Sequence, residues 1–151
     1  MSIEQDAFTA FVNQLEADAT LSGYIKTFFY GGEEKVFENN DYPILHLKMP
    51  SIDEPPEDSY VALPVIKQNR LIFALDFKVW KKANDSGKSL ILESLKADEY
   101  IKNAIESDLQ LGGKANITRV SNTDFRYLDN YIREGSLTVE LETPRFTAGS
   151  R

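Results

Sequence analysis

Cysteine is absent from the 151-residue sequence, and histidine occurs once, at His46. Without thiols the chain cannot form a disulfide, a thiolate metal site or a cysteine nucleophile. The absence of cysteine is compatible with a reducing cytosol. Catalysis and metal binding would therefore have to rely on His46, carboxylates, hydroxyls and amines.

Long apolar runs are also missing. No run approaches ~18 residues, so we expect no membrane-spanning segment. The first residues, MSIEQDAF, show no basic stretch followed by an apolar one, and so predict no secretory signal. The length and the hydrophobic content of 42% are typical of one globular domain with a real core. We predict a single domain over residues 1–143 and a flexible tail over residues 144–151, PRFTAGSR.

Negative charge is concentrated in one segment. Between residues 33 and 60, eight acidic residues are opposed by Lys35 and Lys48, which gives this segment −6 of the total net charge of −7. Such a segment repels nucleic acid, because binding to nucleic acid gains its energy from neutralising phosphates. The alternative interpretation is a loop face that is simply solvated.

Two helices are predicted from apolar residues at helical spacing. The first covers residues 2–19, with Ser2 as N-cap and Gln5 completing a capping box. We expect Gly23 to end it. The second covers residues 88–109, with Asp85 or Ser86 as cap. Its predicted buried stripe consists of Ile91, Leu95, Ile101, Ile105 and Leu109.

Alternating apolar and polar residues predict four strands. They cover residues 43–49, 70–81, 116–120 and 136–142. In residues 70–81 the odd positions from Leu71 to Val79 form an apolar face, and the even positions form a mixed face. This pattern suits an antiparallel sheet with one side less buried. The sequence thus predicts an α+β fold, an antiparallel β-sheet packed against an N-terminal and a central helix.

Two segments are harder to interpret. In residues 24–37 the Gly31-Gly32 pair predicts either a hairpin turn or the end of a short helix. Residues 50–64 contain four acids and four prolines, and so predict a long irregular loop.

No catalytic, metal or cofactor motif is complete. On the predicted strand, His46 shares a face with Ile44 and Lys48, neither of which orients an imidazole, so we predict a half-exposed sheet residue and no general base. DEPPED (residues 53–58) lacks the ligand spacing of a calcium loop. NDSGKS (residues 84–89) ends like a phosphate-binding loop but lacks its first glycine. We therefore expect no enzyme activity, no metal and no cofactor.

Basic residues surround the only tryptophan, Trp80. They are Lys67, Arg70, Lys78, Lys81, Lys82 and Lys88. Cations beside an aromatic ring can form a stacking platform for nucleic acid. The sequence pI near 4.8 favours the alternative, in which these residues solubilise a sheet edge.

Subunit contacts are predicted on the mixed face of the strand at residues 70–81. Ile72 and Trp80 are its largest apolar members, and aromatic residues carry much of the energy of interfaces. The alternative is that another element of the same chain covers both side chains.

Four stretches, taken in order, resemble a known family. They are YGG with DYPILHL (residues 30–32 and 41–47), RLIFALDFKVW (70–80), KADEYIKNAIESDLQLGG (96–113), and ITRVSNTDFRYLDN with SLTVELE (117–130 and 136–142). Their order and lengths resemble the tail terminator proteins of long-tailed bacteriophages, the tail completion or minor tail protein U-like family. The PSIDEPPED segment departs from that pattern. Other small head–tail joining proteins of the phage neck share the same size and style.

The resemblance implies a structural virion protein with no catalysis and no cofactor. It implies a ring of six copies that is assembled in the bacterial host cytoplasm, caps the tail tube and presents a surface to the head. The implied partners are further copies of the chain, the tail tube protein and head–tail connector proteins. A competing class is a monomeric module that binds a small molecule or a protein, which would need a deep pocket.

DNA would pass through such a ring without specific binding. Acidic walls repel phosphate, so our hypothesis places Glu33, Glu34, Glu38 and Asp41 facing the channel.

Overall fold

The computed structural model describes residues 2–32, 36–53, 66–82 and 85–146, with backbone only for residues 66–68 and 144–146. Its helices are α1 (Ile3–Ala17), α2 (Ala19–Tyr24) and α3 (Gly87–Glu106). Among the described residues, no helix is long and apolar enough to cross a bilayer.

Helix α1 begins as the sequence predicts and ends earlier. The Gln5 N–H donates to the Ser2 hydroxyl at 3.1 Å, and the Ser2 N–H donates to the Gln5 side chain at 2.8 Å. The predicted helix ends at Asp18 and not at Gly23, because the backbone of Asp18 is extended. The Asp18 carboxylate accepts the Leu21 N–H at 2.9 Å and so caps the start of α2.

Seven strands of the described residues form one mixed sheet. They are β1 (Thr27–Tyr30), β2 (Ile44–Leu47), β3 (Ser51–Asp53), β4 (Ile66–Trp80), β5 (Ile117–Val120), β6 (Asp124–Tyr127) and β7 (Ile132–Phe146). The order is β1-β2-β4-β7-β5, with β3 beside β4 and β6 beside β7. The α+β class predicted from the sequence is confirmed.

Strand β1 forms neither of the two structures weighed for residues 24–37. It pairs parallel to β2, from Thr27↔Ile44 to Tyr30↔Leu47, while the other described pairings are antiparallel. Gly31 adopts a φ of 103°, which glycine reaches without steric cost. A 3₁₀ turn at Asn39–Asp41 precedes β2, and because β1 and β2 run parallel they do not form a hairpin.

The two longest strands, β4 and β7, form the centre of the sheet. Their ladder runs from Ile66↔Phe146 to Trp80↔Ile132. Strand β7 therefore continues to Phe146, whereas we expected a loose tail from residue 144 onward; residues 147–151 lie outside the described residues. The predicted loop at residues 50–64 begins with β3, and its residues 54–65 also lie outside them.

The core lies between one sheet face and the helices. Leu71, Phe73, Leu75, Phe77 and Val79 are all buried there, as their alternation predicts. Helix α3 confirms only Ile101 and Ile105 of its predicted stripe. Its buried residues are Leu90, Ser94, Ala97, Ile101, Ala104 and Ile105. Small residues let the helix approach the sheet closely, and Ile91, Leu95 and Leu109 are left exposed.

Candidate functional site: the outer face of the sheet

The sheet face opposite the core carries most of the charged side chains of β4 and β7. We call it the outer face. It contains the cross-strand pairs Arg70↔Glu142, Ile72↔Glu140, Ala74↔Thr138, Asp76↔Ser136, Lys78↔Glu134 and Trp80↔Ile132. Helix α1 packs on the other side, where Phe8 and Phe11 contact the Phe73 ring edge to face. The outer face is thus the part of the sheet from which a surface site can be built.

One end of the outer face is a network of arginines and carboxylates. Arg70 contacts Asp53 at 2.5 Å and Glu140 at 3.3 Å. Arg119 contacts Glu140 at 3.3 Å and Glu142 at 3.2 Å. The hydrogen bond that Arg119 donates to the Glu142 carboxylate raises the pKa of the guanidinium above its ordinary value. These side chains therefore neutralise one another across β3, β4, β7 and β5.

The other end of the outer face contains two buried carboxylates. Asp76 accepts the Ser136 hydroxyl at 2.5 Å and contacts Lys48 Nζ at 2.9 Å. Glu134 accepts Arg126 Nε at 2.8 Å and lies 3.8 Å from Lys78 Nζ. A buried carboxylate is stable only with such partners, because burial removes its hydration.

A groove of about 350 Å³ lies over these ion pairs. Charged residues that line it include Asp76, Lys78, Glu134 and Arg126, and its apolar lining residues are Phe29, Phe37 and Leu128. We call it the transverse groove, because it reaches from β1 to β6 across the strands.

His46 forms part of this groove and is more buried than predicted. It is only 9% exposed. Its Nε2 lies 2.6 Å from the Gly31 carbonyl oxygen, to which it donates, and its ring centre lies 4.6 Å from that of Phe29. The orienting partner, Gly31, follows directly after β1, so the alternation of residues along β2 could not reveal it. Among the described residues no three side chains from His, Asp and Glu form a metal-binding group.

The two predicted contact residues lie far apart. Ile72 and Trp80 share the outer face but are eight residues apart on β4, which corresponds to about 26 Å of strand. Trp80 is half-buried and lines a hollow together with Tyr24, Tyr42 and Pro43 of the same chain. The two side chains do not form one apolar patch, and their role as subunit contacts stays a prediction.

Of the four acidic residues assigned to a channel, Glu33 and Glu34 lie outside the described residues. Glu38 precedes the 3₁₀ turn and Asp41 is its last residue; the Glu38 N–H donates to the Asp41 carboxylate at 2.8 Å. The Thr27 hydroxyl donates to the Asp41 carbonyl at 2.8 Å, which holds this segment along β1. Both acids therefore lie close to the aromatic border of the transverse groove.

Two members of the basic cluster predicted around Trp80 form ion pairs, and the side chain of Lys67 lies outside the described residues. Arg70 and Lys78 pair with carboxylates. Lys81 Nζ lies 5.0 Å from the centre of the Tyr131 ring and donates to the Asp85 carbonyl at 3.1 Å. Among the described residues, these contacts do not form a continuous basic platform for nucleic acid.

Sequence reasoning missed Lys48, Arg126 and Glu134 as groove residues. Strand β6 is only four residues long, and it follows β5 so closely that its alternation is easily overlooked. Once β6 is paired with β7, the Arg126↔Glu134 pair falls on the outer face.

No known protein family matches the sequence, and no curated protein gives a significant match. Among solved structures, the fold is similar to that of a chain in the "Virion of native gene transfer agent (GTA) particle", with a TM-score of 0.54. The similarity covers 95% of this chain and 98% of that chain, at 9% sequence identity. At this identity the similarity concerns the fold.

Proposed function

We propose that the chain is a structural subunit of a phage-type particle. The observation that carries the proposal is the extent of the fold similarity to the gene transfer agent virion chain, which covers nearly all of both chains. A domain that shares its whole architecture with a virion subunit, without large additions on either side, is suited to the same kind of assembly. No catalysis and no cofactor are part of this proposal.

Within such a particle, we propose the position of a tail terminator. The sequence stretches that resemble that family correspond to β1 and β2, to β4, to α3, and to β5 through β7. The chain would form a ring of six copies that caps the tail tube and joins it to the head. Its partners would be the tail tube protein and head–tail connector proteins. DNA would pass through this ring, and the protein would reside in the virion tail after assembly in the bacterial host cytoplasm.

A gene deletion in the phage or prophage that encodes the chain tests this proposal. The expected result is tails of uncontrolled length without attached heads, seen by electron microscopy and corrected by supplying the gene in trans. Tails of normal length beside unattached, filled heads would favour another head–tail joining protein of the neck. Normal infectious particles would contradict both positions.

A second candidate is a monomeric binding module. The observation that favours it is the transverse groove, whose charged side chains are held in place by buried carboxylates.

A further inference from the structure

Helix α3 has an exposed apolar centre on the side that faces away from the core. Leu92 is 55% exposed and Leu95 is 48% exposed, whereas Ser94 and Ala97 between and beside them are fully buried. The two leucines are neighbours on the helix surface, because residues three apart lie on the same side of a helix. About half of each leucine is therefore available for contact with a further molecule.

The residues on either side of the two leucines have the spacing of a helix–helix contact. Positions that alternate by four and three residues lie along one side of a helix and typically face a second helix. We call this row the α3 stripe; it consists of Lys88, Leu92, Leu95, Glu99, Lys102 and Glu106. Lys88 and Glu99 are both exposed, and neither forms an ion pair within the part of the chain that the structure describes.

The α3 stripe is complementary to itself when two copies meet in opposite directions. Leu92 and Leu95 lie equally far from the point between residues 93 and 94, and so do Lys88 and Glu99. In an antiparallel pair, Leu92 of one copy therefore lies opposite Leu95 of the other, and Lys88 lies opposite Glu99. In a parallel pair, each of these charged residues would face its own kind, which like-charge repulsion opposes.

The other lysines of α3 do not oppose the antiparallel pair. Lys96 Nζ lies 5.1 Å from the centre of the Tyr24 ring, so aromatic contacts of its own copy hold its charge. Lys102 Nζ is paired with Asp98 at 3.2 Å.

Two further acidic residues of α3 also lie outside the contact. The Glu93 carboxylate accepts the Tyr24 hydroxyl at 2.9 Å. Glu106 lies opposite a position that precedes Gly87, the first residue of the facing helix. The antiparallel pair therefore brings no like charges together along the stripe.

The net charge of −7 opposes the approach of any second copy, but little of this charge is on α3. Residues 33–60 carry −6 of it, whereas α3, with three lysines and four acidic residues, carries −1. At 0.15 M salt, repulsion between exposed charges more than about 8 Å apart is largely screened. The local contacts of the stripe therefore decide whether two copies pair.

We propose that the α3 stripe binds the α3 stripe of a second copy in antiparallel orientation. Leu92 and Leu95 of both copies form the apolar centre, and Lys88 of each copy pairs with Glu99 of the other. Two leucines per copy form a contact well below the ~800 Å² per partner that is typical of stable complexes. We therefore expect a reversible pairing that requires a high protein concentration.

This pairing is separate from the proposed ring. A two-fold contact uses the same surface on both copies, so it joins two copies and cannot by itself close a ring of six. The proposal rests on the exposure and charge order of α3 and does not depend on the virion role.

Disulfide trapping tests the proposal, because the chain has no cysteine of its own. Lys88→Cys and Glu99→Cys are prepared separately, one of them labelled with ¹⁵N, mixed in equal amounts and oxidised in a glutathione buffer at 0.15 M salt. Intact mass spectrometry then distinguishes the mixed disulfide from the two disulfides between identical variants. The mixed pair keeps all four leucines and one Lys88–Glu99 contact.

We expect the mixed disulfide to predominate. Opposite positions of two packed helices lie within the span of a disulfide. Identical positions would be about 16 Å apart along the helix axis, which a disulfide cannot span. A statistical mixture of the three disulfides, or a majority of disulfides between identical variants, would overturn the proposal.

A second substitution tests the apolar centre. Leu92→Asp in both partners should lower the yield of the mixed disulfide about tenfold, because a carboxylate would lose water against leucine. Leu128→Asp, at an exposed leucine of the β6–β7 turn, is the matched control and should leave the yield unchanged. Urea unfolding should show that all variants are folded.

An equal yield in Leu92→Asp and Leu128→Asp would also overturn the proposal. Trapping is measured independently of the gene deletion described above, so the result for α3 pairing and the result for the virion role can differ.

Discussion

At the scale of single residues, Gly135 is the position where the core tolerates least change. It lies directly opposite Phe77 in β4 and Phe125 in β6. A Cβ added at Gly135 would overlap the Phe77 ring, which is fully buried and cannot move aside freely. We predict that Gly135→Ala lowers the free energy of unfolding by about 1–3 kcal/mol, the usual cost of overpacking a core. Urea denaturation followed by circular dichroism measures it.

Gly87→Ala is the control for that experiment. Gly87 is the first residue of α3, and no atom lies within 4 Å of an added Cβ. The variant should be as stable as the original chain or slightly more stable, because alanine is favoured over glycine in helices. Equal stability of both alanine variants would show that the Phe77 ring can be displaced without cost.

A second residue-scale prediction concerns alkaline pH. Burial, and then the hydrogen bond to Glu93 at 2.9 Å, raise the pKa of Tyr24 above its ordinary value of 10. In the unfolded chain this tyrosine ionises near pH 10, whereas in the folded chain it stays protonated to higher pH. Its contribution to stability is therefore complete below pH 10 and is lost as the pH rises toward the folded pKa.

We expect the free energy of unfolding to fall between pH 10 and pH 12, and to fall less steeply in Tyr24→Phe. Part of the fall should remain, since burial also raises the pKa of Tyr30 and Tyr42. Tyr127→Phe, at an exposed position, is the comparison and should keep the original slope. Identical slopes for all three proteins would contradict the assigned cause.

At the scale of elements, the capping box of α1 can be tested directly. Ser2 and Gln5 satisfy two backbone N–H groups at the start of a helix whose Phe11 and Leu15 are in the core. We predict that Ser2→Ala costs about 1 kcal/mol of stability. Ser22→Ala, an exposed position in α2, should change stability little. The same urea titration measures both, and an unaffected Ser2→Ala would show that α1 is held by its packing alone.

The elements that could be predicted are those with a long regular pattern. Helices α1 and α3 could be predicted because their apolar residues recur at helical spacing over two or more turns. Strand β4 could be predicted because apolar residues alternate along it five or more times. The pairing of β1 with β2 could not be predicted, because it is parallel and depends on a return path through the Asn39–Asp41 turn. The predicted burial of Ile91, Leu95 and Leu109 was wrong, because pattern reasoning favours large apolar residues. The small residues Ser94, Ala97 and Ala104 are buried instead.

The same limit applies to the candidate site. Alternation alone predicts that Asp76, Lys78 and Glu140 lie on the outer face. The transverse groove could not be predicted in this way, because residues from five separate strands form it. The environment of His46 likewise required the position of Gly31, a residue of another segment. Individual faces could be predicted from the sequence, and contacts between distant segments could not.

At the scale of the whole molecule, the acidic channel hypothesis gives a prediction about DNA passage. Glu38→Lys, combined with Glu33→Lys and Glu34→Lys, should leave particle assembly intact and slow DNA delivery, since positive walls would retain phosphate. Particle counts by electron microscopy and infection titres measure the two effects. Glu99→Lys, on the exposed side of α3, is the control and should leave delivery unchanged. Unchanged infectivity of the triple variant would show that these residues do not line the channel.

The central claim is that the chain assembles with copies of itself into a ring, and the mass in solution tests this most directly. Light scattering behind a sizing column, with the full chain over a wide range of concentration, gives that mass without calibration. The account predicts a closed species of about six times the chain mass of 17.1 kDa, which stays constant once formed. A mass of 17.1 kDa at every concentration would contradict the ring and leave the monomeric binding module as the better description.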